Sequence, residues 1–126
     1  MKALTLQPTE YTPQIILDPI NYRFVFTGES YPENTFEFYE PILEWFRDFL
    51  SQKKDMILEM ELTYLNSSSL KSFYDIFEFL NAHAKEFNSR IIIQWIYDEE
   101  NDIALETGQN MDEDFEHLTF EYLQKE

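Results

Sequence analysis

The segment MILEMELTYL, residues 56 to 65, constrains the fold more than any other part of the chain. Met56, Leu58, Met60, Leu62 and Tyr64 alternate with Ile57, Glu59, Glu61 and Thr63. Strand side chains point to opposite faces in turn, so this period of two predicts a strand with one apolar and one wetter face. The period then changes. Leu70, Phe73, Phe77, Leu80, Ala84 and Phe87 recur at three and four, and Tyr74, Ile76 and Phe79 widen that face. A helix over about 68–87 follows, ended by Asn88 and Ser89. RIIIQWIY, 90 to 97, is a continuous apolar run suited to a central strand.

The flanking sequence extends this pattern. PQIILD (13–18) and INYRFVF (20–26) read as strands about an Asp18–Pro19 turn, and GESYPEN (28–34) reads as a loop punctuated by Gly28 and Pro32. Asn34 can cap a helix with Glu37 as its reciprocal partner. Pro41 then either kinks that helix or starts a new one, and residues 41–52 are helical in both cases. Phe36, Tyr39, Leu43, Phe46 and Leu50 form one stripe; Phe38, Ile42, Trp45 and Phe49 form another beside it. Together they exceed what one sheet-facing stripe needs. Either the helix is deeply buried, or Phe38, Trp45 and Phe49 meet a partner. A short helix over about 99–107, stopped by Gly108, and a last strand, HLTFEYL (117–123), complete the order. The expected architecture is a single compact α/β domain, residues 1–126. Its sheet is mostly parallel or mixed, with about five strands and about three helices on one or both faces.

Charge and composition narrow the function. The 126 residues carry a formal net charge of −16, and residues 96–126 hold eleven Asp or Glu against Lys125 alone. Such a field repels phosphate backbones and anionic membranes, which argues against nucleic-acid binding. No apolar run is long enough to span a bilayer, so membrane insertion is not expected, and the start lacks the pattern of a secretory signal. With no cysteine there is no disulfide framework or thiolate chemistry, compatible with a cytoplasmic location.

Catalytic ingredients are sparse. His83 and His117 have no second histidine or cysteine at ligand spacing, so neither a metal nor a cofactor is expected. Asp98, Glu99, Glu100 and Asp102 lack the central glycine and terminal glutamate of a calcium loop, as do Asp112, Asp114 and Glu116. Glu59 and Glu61 share one strand face, the pairing an acid/base hydrolase would need, but with no cleft indicated an ordinary wet strand face is the favoured reading. Ser67, Ser68 and Ser69 lack a nucleophile-elbow context. The chain does not read as an enzyme.

The serines follow Asn66 at the start of the central helix. Asn66 or Ser67 would cap it, worth about 0.5–2 kcal/mol, and one residue suffices for that. Three further hydroxyls are either an ordinary turn or a phosphorylation site. Phosphate there adds roughly −1.5 to −2 charges where free N–H groups and the positive helix end accept them, with Lys71 in partial compensation.

GESYPEN (28–34), FYEPILEWFRDFL (38–50), LTYLNSSSLKSF (62–73) and IIIQWIYDEEND (91–102), in this order, resemble the SiaC family of bacterial regulatory phosphoproteins. The resemblance implies a fold like that of anti-sigma-factor antagonists (STAS-like). It also implies a Ser/Thr kinase that modifies the hydroxyl after the Asn and a PP2C-type phosphatase that restores it. In the best-known branch the unmodified protein activates a diguanylate cyclase, raising cyclic di-GMP and favouring biofilm growth. The modified hydroxyl falls on Ser67, a threonine in that branch, with Ser68 and Ser69 as neighbouring alternatives. Asn66, Lys71, Tyr31, Pro32 and Glu33 would form the switch surface. An anti-sigma-factor-antagonist role in partner switching, with a non-cyclase output, is the alternative.

Overall fold

The computed structural model describes residues 1–125. In chain order it contains β1 (Leu4–Leu6), β2 (Gln14–Asp18), β3 (Arg23–Ser30), α1 (Thr35–Phe49), β4 (Met56–Leu65), α2 (Ser67–Phe87), β5 (Ile91–Asp98), α3 (Asp102–Asp114) and β6 (Thr119–Lys125). The strands form one mixed sheet in sequence order. β1, β2 and β3 pair antiparallel; β3 to β6 run parallel, each pair bridged by one helix.

The register explains the core. Leu4, Leu17, Phe24, Leu58, Ile93 and Phe120 lie side by side across all six strands, and Leu6, Ile15, Phe26, Met60, Trp95 and Tyr122 form the next row. Every one of them belongs to, or packs on, the single hydrophobic core beneath the helices. The helices therefore occupy one face. The other face carries Thr5, Ile16, Val25, Glu59, Gln94 and Glu121 in its corresponding row.

The structure departs from the sequence expectations at several points. β1 makes a sixth strand; three residues are too short to show a period, yet Leu4 and Leu6 turn inward around Thr5. β3 does not stop at Gly28 but continues to Ser30 through a register shift, with Gly28 at φ +124°, a backbone region glycine tolerates. α1 runs unbroken through Pro41. The carbonyl that loses its donor is that of Glu37, and both residues are exposed, so water can satisfy it.

Gly108 lies inside α3 rather than after it. A Cβ there would stand 2.6 Å from Trp95 Nε1 and 2.7 Å from Trp95 Cδ1. Helix and sheet approach so closely that only hydrogen fits. His83 is likewise a packing residue. It is 4% exposed, stacks near Phe87 at 4.7 Å between ring centres, and its Nε2 accepts the Lys54 N–H at 3.4 Å. Burial pushes its imidazole below the ordinary histidine range.

Two outcomes follow from this packing. Gly108→Ala should lower the free energy of urea unfolding by about 2 kcal/mol, because overpacking a fixed ring outweighs the roughly 1 kcal/mol gained in helix propensity. A stabilised variant would contradict the close approach. Burial disfavours the His83 imidazolium in the folded protein, whereas the unfolded chain takes the proton near the ordinary histidine value of about 6.5. Its contribution is present above that pH and is lost as pH falls toward the folded value. The stability difference between the wild type and His83→Gln should therefore shift in favour of the variant from pH 7.5 to 5.5, and parallel curves would refute this.

Candidate functional site

β4 ends at Leu65 and α2 begins at Ser67, leaving Asn66 alone at the junction. Its backbone is extended (φ −77°, ψ 173°), and its side-chain oxygen accepts the Ser69 N–H at 2.9 Å. This is an asparagine cap. The Asn66 N–H donates to Ser30 O at 3.1 Å, which ties the junction to the end of β3.

The cap distributes three successive hydroxyls to three environments. Ser69 is fully buried, and its Oγ lies 2.8 Å from Ser30 Oγ, which in turn bonds the Tyr39 hydroxyl. Burial raises the Tyr39 phenol pKa, so it stays protonated within this chain of hydroxyls. Ser68 is exposed but engaged: its Oγ is 2.8 Å from Thr35 Oγ1 and 3.3 Å from Asn66 Oδ1. Ser67 is exposed, and its hydroxyl has no hydrogen-bond partner among the described residues. As the first residue of α2, Ser67 sits at the positive end of the helix. The Thr35–Ser68 contact also places the first turn of α1, capped by Asn34 through the Glu37 N–H at 3.3 Å, against the first turn of α2.

The loop after β3 forms one flank. Tyr31 N–H donates to Tyr11 O at 2.8 Å, and the Tyr31 ring lies edge-on to Tyr11 and Tyr64, with centres 5.4 and 5.8 Å away. Pro32 O accepts from Thr35 Oγ1 at 3.4 Å, and Glu33 is exposed. On the other flank, Lys71 pairs with Asp75 at 3.2 Å. The structure thus ties the Tyr31–Pro32 segment to the Asn66 junction through Ser30, Thr35 and Tyr64, with Ser67 next along the chain.

It does not expose the α1 aromatics in the way the two stripes allowed. Trp45 and Phe49 are 8% and 5% exposed and stack on each other at 5.0 Å, while Trp45 Nε1 donates to Lys2 O at 2.9 Å. Both are core residues, because the N-terminal segment and the sheet cover them. Phe38 is half-buried against Tyr39, and the exposed ring of α1 is Phe36. Sequence reasoning also missed Thr35 and Ser30, whose hydroxyls meet the serines only in three dimensions.

Beyond Ser67 the mouths of β4 and β5 frame a cavity of about 170 Å³, lined in part by Tyr64, Leu65, Leu70, Trp95 and Ile103. Glu59 and Glu61 are elsewhere, on the open sheet face: Glu61 accepts from Lys125 at 2.7 Å and Glu59 lies 4.0 Å from Arg23. His117 is half-buried beside Glu116 at 3.3 Å, remote in sequence and setting from His83. Among the described residues no three His, Cys, Asp or Glu side chains are grouped to hold a metal ion. No helix among them is long and apolar enough to cross a membrane.

Comparison with known proteins agrees with the fold. A chain in the crystal structure of the diguanylate cyclase SiaD in complex with its activator SiaC, from Pseudomonas aeruginosa, superposes with a TM-score of 0.89. It is 29% identical, over 97% of this chain and 99% of that one. SiaC of Pseudomonas aeruginosa alone gives 0.84 at 28% identity, over 99% and 98% of the two chains. An uncharacterised protein of Pseudomonas aeruginosa strain UCBPP-PA14 is 32% identical over 115 residues, 90% of each chain. The model of the SiaC family of regulatory phosphoproteins matches residues 6–125. The chain, with its asparagine-capped run of serines at the head of the central helix, belongs to the SiaC family of regulatory phosphoproteins.

Proposed function

We propose that this protein is a non-enzymatic phospho-switch, modified on Ser67 by a Ser/Thr kinase and restored by a PP2C-type phosphatase. Its unmodified form binds and activates a diguanylate cyclase. The observation that carries this reading is the sorting of the three hydroxyls: Ser67 is exposed and unengaged, Ser68 is held by Thr35 and Asn66, and Ser69 is buried on Ser30. A kinase must bring the acceptor oxygen in line with a nucleotide phosphate, and an oxygen already free in solvent reaches that geometry at least cost. The cyclase assignment rests on the likeness to SiaC, which acts as the activator of SiaD.

The physical logic of release is local. A phosphate on Ser67 accepts charge-assisted hydrogen bonds from the first-turn N–H groups of α2, and the neighbouring α1 terminus adds a second positive end. The domain tolerates the dianion. A partner that covers this turn in a water-poor contact does not, because it would strip the water from about two negative charges that helix-end N–H groups alone do not neutralise. The same arrangement would serve an anti-sigma-factor antagonist, and the identity of the captured enzyme separates the two outputs.

Ser67→Ala should fold normally and abolish labelling by the cognate kinase, read by mass spectrometry of the intact protein and its peptides. Phosphate placed on Ser68 or Ser69 of the wild type instead would overturn the assignment. The Ser67-phosphorylated protein should unfold within a few degrees of the bare form, because the added charge meets the helix end favourably by about 0.3–1 kcal/mol. A large loss of melting temperature would show that the phosphate acts by unfolding rather than by blocking contact.

A further inference from the structure

The cavity at the mouths of β4 and β5 is a preformed apolar groove next to the serine turn. Trp95 and Leu62, 1% and 3% exposed, line its inner wall, while Tyr64 and Ile103, 53% and 77% exposed, form its lip. Its two sides are tied together without help from a ligand. Asn101 Nδ2 donates to Thr63 O at 3.1 Å, and Trp95 Nε1 donates to Ala104 O at 2.9 Å. Leu70, also in the lining, stands three residues beyond Ser67 on α2, so the two are neighbours along one helix face.

Size and charge identify the occupant. The volume of about 170 Å³ is below the roughly 300–1,000 Å³ of metabolite pockets and close to the ~150 Å³ that holds a benzene-sized group. One bulky side chain fits; a nucleotide does not. Asp102 and Glu106 are sequence neighbours of the lining residues Asn101, Ile103 and Thr107 on α3, and Asp98, Glu99 and Glu100 precede them in the chain, Asp98 opposite Lys125, which is bonded to Glu61. The nearest cation on α2, Lys71, is paired with Asp75. A second copy of this chain would present the same acidic rim, and like charges across an interface are unfavourable.

We propose that this groove is the docking site for a partner protein segment that carries one bulky apolar side chain flanked by lysine or arginine. The inference rests on the switch reading above: the apolar side chain, and not its basic neighbours on the α3 side, packs beside the Ser67 turn, so a phosphate there would lose its water without gaining a cation. The apolar side chain enters between Leu70 and Ile103, and its basic neighbours meet the acidic rim around α3.

A random dodecapeptide phage library, selected on the immobilised, unmodified full-length protein, tests this whatever the identity of the partner. Enriched peptides should share one bulky apolar residue flanked by Lys or Arg. As synthetic peptides they should bind Ile103→Asp at least about tenfold more weakly and bind Phe36→Asp as they bind the wild type. Glu106→Lys should weaken them a few-fold and flatten their salt dependence. Ile103 is exposed in the first turn of α3, where an aspartate suits the helix end, so the variant folds. Failure to enrich any peptide, a consensus without basic residues, or unchanged binding to Ile103→Asp would overturn the proposal. So would a self-associated wild type that Ile103→Asp converts to a monomer in sedimentation. Peptides lost on Ile103→Asp but indifferent to phosphate on Ser67 would keep the groove and remove the switch. Sensitivity to phosphate without sensitivity at Ile103 would do the reverse.

Discussion

The hydrogen bond from Ser69 N–H to the Asn66 side chain, 2.9 Å long, sets the geometry on which the site depends. It ends β4 and starts α2 within one residue, and so fixes the rotation of the helix about its axis. With about 100° between successive helical residues, three serines in a row cannot share an environment. Ser69 turns to the core, Ser68 to α1 and Ser67 to solvent. Loss of the cap would cost about 1 kcal/mol, and it would also blur this sorting.

The one-sided sheet gives the cap its setting. Each parallel crossover delivers a helix N-terminus to the same edge, where the strands end. There α1 and α2 meet through Thr35 and Ser68, and α3 is tied to β4 through Asn101 and Thr63. The edge therefore combines positive helix ends, a bare hydroxyl and a small apolar groove in a protein of net charge −16. On the proposed reading, a phosphate there would meet the helix ends of the fold and would be costly for a partner that seals the turn against water.

Much of this was legible in the sequence where a local rule and the tertiary structure agree. The alternation in 56–65 and the three-and-four spacing in 70–87 correspond to β4 and α2, and Asn34 and Asn66 both cap as their positions predict. The failures are tertiary. Gly108 reads as a stop, but the Trp95 ring beside it demands the missing Cβ inside a helix. For Trp45 and Phe49 the sequence left a buried helix or a partner face open, and burial is decided only in three dimensions, by the chain start that lies over them through Lys2. Which serine is free depends on Ser30 and Thr35, more than thirty residues away along the chain, and no local pattern encodes that contact. Ile103 belongs to no periodic stripe, and a single exposed aliphatic residue is ordinary on a protein surface, so no sequence pattern singles it out.

The central claim is that charge on Ser67 blocks a contact without disturbing the fold beneath. Calorimetric titration of the diguanylate cyclase proposed as its partner, with the bare protein and with protein carrying phosphoserine only at position 67, measures this directly. The account predicts tight binding by the bare form and affinity at least about tenfold weaker for the phosphorylated form, with matching circular dichroism spectra. Equal affinities for the two forms would contradict it.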